Sequence, residues 1–186
     1  MIQNVIISFL LCALSLTGIA QKKIFTKTGI ITFYSKTTVE KIEAKNSKAL
    51  AVIDIENNKI EFSVLIKGFE FEKALMQEHF NENYLESDKY PKATFKGSFD
   101  EAPVLISAAQ DKIHTLKISG SLTLHGVTKP VKTVAVVTVK NKKIRATCDF
   151  IILLSEYSIK IPAVVANDIS KTIQIKINIP SFQEMK

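Results

Sequence analysis

The sequence predicts an all-β protein, an extended antiparallel barrel of about eight strands with one amphipathic helix. Three observations lead there. Short segments in which apolar and polar residues alternate recur along the chain, and Asn- or Gly-bearing turns separate them. One segment departs from this period of two. Alternation places one set of side chains on a buried face and the other in water, as a half-buried strand requires. Closing such a sheet on itself removes the two edges that an open sheet would expose.

Taken in order, the first element lies outside the fold. An apolar run from Val5 to Leu16, followed by Thr17-Gly18-Ile19-Ala20, is too short to span a membrane and suits an export signal cleaved after Ala20. This reading gives a signal peptide over residues 1–20 and a single domain over residues 21–186, in the periplasm or outside the cell. Cys12 leaves with the signal, so Cys148 is the one thiol of the mature chain and has no internal disulfide partner.

Less regular strands are predicted over residues 30–34 and 49–55. Asn57-Asn58 makes a tight turn into a clear strand over residues 60–66. In that strand the even positions are apolar, whereas Phe69 and Phe71 have odd parity, so a kink at Gly68 must re-aim the chain. From Phe71 the apolar residues fall three or four apart, at Phe71, Leu75, Met76, Phe80 and Tyr84. That spacing predicts a helix over residues 71–87, about four turns long, which closes one end of the barrel or lies across its mouth. Glu70, Glu72, Glu78 and Glu82 fall on its exposed side.

Pro91 ends the exit loop and sets up a strand over residues 93–99. A clean alternating strand follows over residues 116–124. Residues 125–130 then read as a connecting loop in which Gly126 takes the positive φ and Pro130 restarts a strand over residues 131–139. Strands over residues 144–150 and 173–179 follow turns at Asn141-Lys142 and Asn167-Asp168.

The net charge of +7 is spread along the strands as lysines, and no Trp is present. A diffuse pattern of this kind is a solvated face that admits transient contact with an anionic membrane surface. Nucleic-acid binding would need a basic stripe interleaved with aromatics, which is absent. The three histidines, His79, His114 and His125, are not paired at metal-ligand spacing. The chain also lacks H-x-x-x-H, C-x-x-C and G-x-S-x-G motifs and any Gly-rich phosphate loop. The sequence therefore predicts no metal, no cofactor and no enzyme.

Two stretches carry more than composition: YPKATFKG at residues 90–97 and GSLTLHGVTKPV at residues 120–131. In their order and separation they closely resemble the YceI-like family of secreted and periplasmic polyisoprenoid-binding proteins. The resemblance covers nearly the whole mature chain. It implies a lipocalin-like barrel whose interior holds the chain of an isoprenoid lipid or quinone.

The inward-facing positions fit that implication. They comprise Phe62, Val64, Ile66, Phe95, Phe99, Leu116, Ile118, Leu122, Leu124, Phe150, Ile152, Ile175 and Ile177, together with the helix stripe of Phe71, Met76 and Phe80. A nine-residue strand spans roughly 30 Å. These sixteen side chains either line a long apolar tunnel or fill the barrel as solid core, since eight strands allow both.

Overall fold

The computed structural model describes residues 23–100, 112–141 and 143–185. The predicted export signal lies outside the described residues. Among the described residues ten strands form: β1 (Lys23–Lys36), β2 (Lys41–Asp54), β3 (Lys59–Leu65), β4 (Glu70–Phe71), β5 (Lys92–Phe99), β6 (Lys112–Leu124), β7 (Val127–Lys140), β8 (Lys143–Leu153), β9 (Thr172–Ile179) and β10 (Gln183–Glu184). All pairings are antiparallel. Following neighbours around the sheet runs β1-β9-β8-β7-β6-β5-β3-β2, and β2 pairs back onto β1. The barrel is closed and has eight long strands, as the alternation predicts.

The two short strands repair mismatches in length. β2 is 14 residues long and β3 only 7, so β3 covers β2 no further than Leu50. β4 takes up part of the uncovered half by pairing Phe71 with Ala44 and Glu70 with Lys45. At the opposite end, β9 pairs with β1 only over Ile30 to Tyr34. β10 turns back to cover Ile24 and Phe25.

The period does break at Gly68. A 3₁₀ turn over Ile66–Gly68 redirects the chain, and a Cβ on Gly68 would lie 2.6 Å from Asn46 Nδ2. That buried Asn46 side chain donates to the Leu65 carbonyl at 3.0 Å and accepts from the Lys48 amide at 2.8 Å. It thus ties the irregular stretch of β2 to the end of β3.

The helix is shorter than the periodicity predicts. α1 spans Ala74–His79, and one π-type turn over Phe80–Tyr84 continues it. Phe71 is drawn instead into pairing with β2, a non-local competitor that the local spacing does not reveal. The β6–β7 connection is also tighter than predicted. His125 and Gly126 alone make the turn, both at positive φ (50° and 74°), and Val127 already pairs with Leu124. Two consecutive left-handed residues match the twist of a two-residue hairpin. Pro130 therefore sits within β7, opposite Ser121, and does not restart the strand.

The two ends of the barrel differ. At one end Ile24, Ile53, Ile55, Ile60, Phe99, Leu116, Val137, Val139 and Ile144 form a buried cluster, with Phe182 packed against it. At the other end the covers are α1 with its π turn, and the β8–β9 connection. That connection carries 3₁₀ turns at Leu154–Tyr157 and Ala163–Val165.

Candidate functional site

Between these ends lies a cavity of about 400 Å³. Its size falls in the range of ligand-binding pockets. All sixteen side chains singled out from the sequence line it. Phe62, Phe95, Ile118, Leu122, Leu124, Phe150, Ile175 and Ile177 point inward yet stay only half-buried, because part of their surface faces this space. Phe99, Leu116, Val64, Ile66 and Ile152 are buried and form its packed margins.

The hollow has a local cause in the sequence. Gly97 on β5 and Gly120 on β6 are register partners on the inner face. A Cβ on Gly97 would lie 2.7 Å from Phe95 Cζ, and one on Gly120 would lie 2.5 Å from the same atom. The Phe95 ring therefore lies over two bare backbones and does not project across the barrel. Small side chains at Ala93, Thr133, Ala135, Ala146 and Cys148 keep the neighbouring wall low.

The mouth is aromatic. Phe80 stacks on Phe33 with centroids 5.4 Å apart and touches the Phe69 and Phe71 rings at 5.8 and 5.0 Å. Phe33 in turn meets Phe69 and Phe71 at 5.5 and 5.7 Å. The helix stripe is thus packed on the barrel and forms cavity wall at once. Phe33 and Phe69 are missing from the sequence-derived set. The Ile31–Phe33 alternation in β1 was the available signal for the first. The second follows only once the chain is seen to turn inward after Gly68.

Polar groups gather where the cavity reaches solvent. Glu40, Asp168 and the exposed His79 line that end, and Lys73 Nζ sits 3.2 Å from Glu40 Oε1. Tyr84 also lines it, and burial pushes its phenol up, so the hydroxyl stays protonated. The lining holds no Lys or Arg among the described residues. Deeper in the wall, Cys148 is free, with Sγ 3.4 Å from Thr133 Oγ1. Burial pushes its thiol up, the nearby Asp149 adds to this, and the Thr133 contact opposes it. Among the described residues no group of three or more His, Cys, Asp or Glu is placed to hold a metal.

The closed antiparallel barrel is the fold that comparison with known proteins finds as well. The family profile for the YceI-like domain matches residues 22–180. The chain belongs to the YceI-like family. The YceI-like barrel superposes on a polyisoprenoid-binding domain from Saccharophagus degradans, implicated in plant cell wall breakdown, with a TM-score of 0.76. The identity is 18%, over 88% of this chain and 98% of that one. BcnA of Burkholderia cenocepacia gives 0.67 at 15% identity, over 83% and 96% of the two chains. A Campylobacter jejuni YceI protein gives 0.55 at 16% identity, over 100% and 91%. At these identities the likeness is one of fold. No match appears among the curated proteins.

Proposed function

We propose that this YceI-like chain is exported and serves in the periplasm, or outside the cell, as a non-catalytic carrier for one long apolar lipid. The ligand is of isoprenoid or quinone-like type and is held in the barrel interior. The observation that carries this reading is the cavity of about 400 Å³, walled by apolar side chains that stay half-exposed to it. The polyisoprenoid-binding domain that shares the fold supports the choice of lipid. Each buried methylene contributes about 0.8 kcal/mol, so a long chain binds firmly with no charged anchor. The net charge of +7 suits brief contact with an anionic bilayer, where such a lipid would be collected.

The test is mass spectrometry of organic extracts from protein purified out of an exporting host. Co-purifying prenyl lipid is expected, on a chain beginning near Gln21. Replacing Phe80 by Glu should empty the protein, because an unpaired charge would then stand in the apolar mouth. A clean extract, together with failure to take up added isoprenoid alcohol or quinone, would reject the carrier reading. It would leave an envelope module acting through its surface.

A further inference from the structure

His125 lies outside the cavity lining, at the tip of the β6–β7 hairpin, between the two covers of the mouth. Its Nε2 is 2.7 Å from Glu86 Oε2, in the segment that leaves the π turn. Its Nδ1 is 3.0 Å from the Tyr157 carbonyl oxygen, in the β8–β9 connection. A carbonyl only accepts, and an ionised carboxylate only accepts, whereas a neutral imidazole has a single N–H to donate. Both bonds are complete only when the ring carries two protons. A neutral ring turns a lone pair toward one of the two oxygens, whichever tautomer it adopts.

The surroundings are built for this contact. Three non-glycine residues that meet there are left-handed: Glu86 (φ 42°), His125 (φ 50°) and Ser158 (φ 57°). Each of them closes a turn: Glu86 after the π turn, His125 in the hairpin and Ser158 after the 3₁₀ turn. The Tyr90 ring stands edge-on to His125, with centroids 4.7 Å apart. A Cβ on Gly126 would lie 2.6 Å from that same tyrosine. The charged and titratable groups around the ring are few. From the exit segment come Glu86, Lys89 (Nζ 4.0 Å from Glu86 Oε1) and Tyr90. From the β8–β9 connection come the Tyr157 backbone and the adjacent Glu156. The His125 side chain is only 10% exposed.

We propose that His125 is a pH-sensitive latch that joins the two covers of the cavity mouth, closed when the imidazole is protonated and slack when it is neutral. The sign follows from the donor count: acid closes the latch, and rising pH removes one of its two bonds. Its consequence for ligand exchange rests on the cavity being the binding site. The latch itself does not.

The experiment loads the full mature chain with the apolar fluorophore N-phenyl-1-naphthylamine. Release is followed at about pH 5.5 and about pH 8. Release is expected to be about three- to tenfold faster at the higher pH, the effect of losing one charge-assisted hydrogen bond that is partly screened by solvent. Glu86→Gln should flatten this dependence, since a carboxamide can offer oxygen to the protonated ring or N–H to the neutral one. His125→Asn keeps a residue that tolerates the left-handed turn and should release quickly at both values.

Hydrogen exchange of residues 85–90 and 154–170 in the ligand-free protein reads the latch without any probe. Protection should fall with rising pH, after correction for intrinsic exchange, in the wild type alone. Equal protection at both values in the wild type would overturn the proposal, as would a wild-type pH dependence in His125→Asn. If the fluorophore fails to bind while exchange behaves as expected, the latch stands, and the carrier reading is decided separately by the lipid extraction and uptake test.

Discussion

The two halves of the barrel are written in the same alternating pattern and yet end differently. At the closed end, Ile53, Ile60, Leu116, Val137 and Ile144 pack into one buried cluster that floors the cavity. Midway along, Phe62, Phe95, Ile118 and Phe150 occupy equivalent inward positions on the same strands and remain half-exposed to empty space. Alternation decides only which side chains point inward. Whether they meet depends on what faces them across the barrel, and that is settled by single small residues. The Gly97–Gly120 pair removes two side chains from one layer and gives the Phe95 ring a place to lie flat.

Substitutions can break this contrast. Ile55→Ala at the closed end, in the buried cluster and off the cavity lining, should cost about 2–5 kcal/mol in chemical denaturation and leave lipid content unchanged in the protein that stays folded. Phe80→Ala at the mouth loses ring contacts next to open space. It should cost only about 1–2 kcal/mol while lipid retention drops. Equal costs at the two sites, with no lipid to lose at either, would mean that both halves are solid.

Filling the middle layer sharpens the same point. A methyl group on Gly97 has no free space, being 2.5 Å from the Ser119 carbonyl oxygen and 2.7 Å from Phe95 Cζ. Gly97→Ala is therefore expected to cost about 1–3 kcal/mol and to push Phe95 inward, lowering the uptake of added isoprenoid. Undiminished uptake would show that the glycine pair does not set the width of the cavity.

Cys148 reports on the wall from within. Because burial raises its pKa, less thiolate is present at a given pH than on a free cysteine. Alkylation by iodoacetamide at about pH 8 should run slower than that of a free thiol, and slower again with lipid bound. A rate equal to that of free cysteine would place the thiol in open solvent. The smallest expected effect is none: with Cys148 free, reductant should leave the melting temperature unchanged.

What the sequence revealed follows the range of the interactions involved. The eight long strands and the kink at Gly68 rest on neighbours a few residues apart, and they were legible. The short α1 was not, because Phe71 is claimed by Ala44 of β2, a partner distant in sequence. Nor was the meeting of His125 with Glu86, 39 residues away. Phe33 could have been placed in the wall from its alternation with Ile31. The emptiness of the barrel could not be read, since it depends on Gly97 facing Gly120, a register that only the folded sheet fixes.

The repair made by β10 has a meaning beyond the barrel itself. Where β9 stops short, Ile24 and Phe25 would otherwise offer bare backbone to any passing strand. Gln183 and Glu184 take up those positions, the Met185 amide donates to the Lys23 carbonyl at 2.9 Å, and the Phe182 amide donates to the Ile144 carbonyl at 3.1 Å. Exposed strand edges are templates for aggregation, and these few residues act as a seal against it. A chain cut after Pro180 would keep its long strands while losing Phe182 from the packed end of the barrel. It would also gain an adhesive flank, and its failure would be seen as self-association in solution and not as loss of fold.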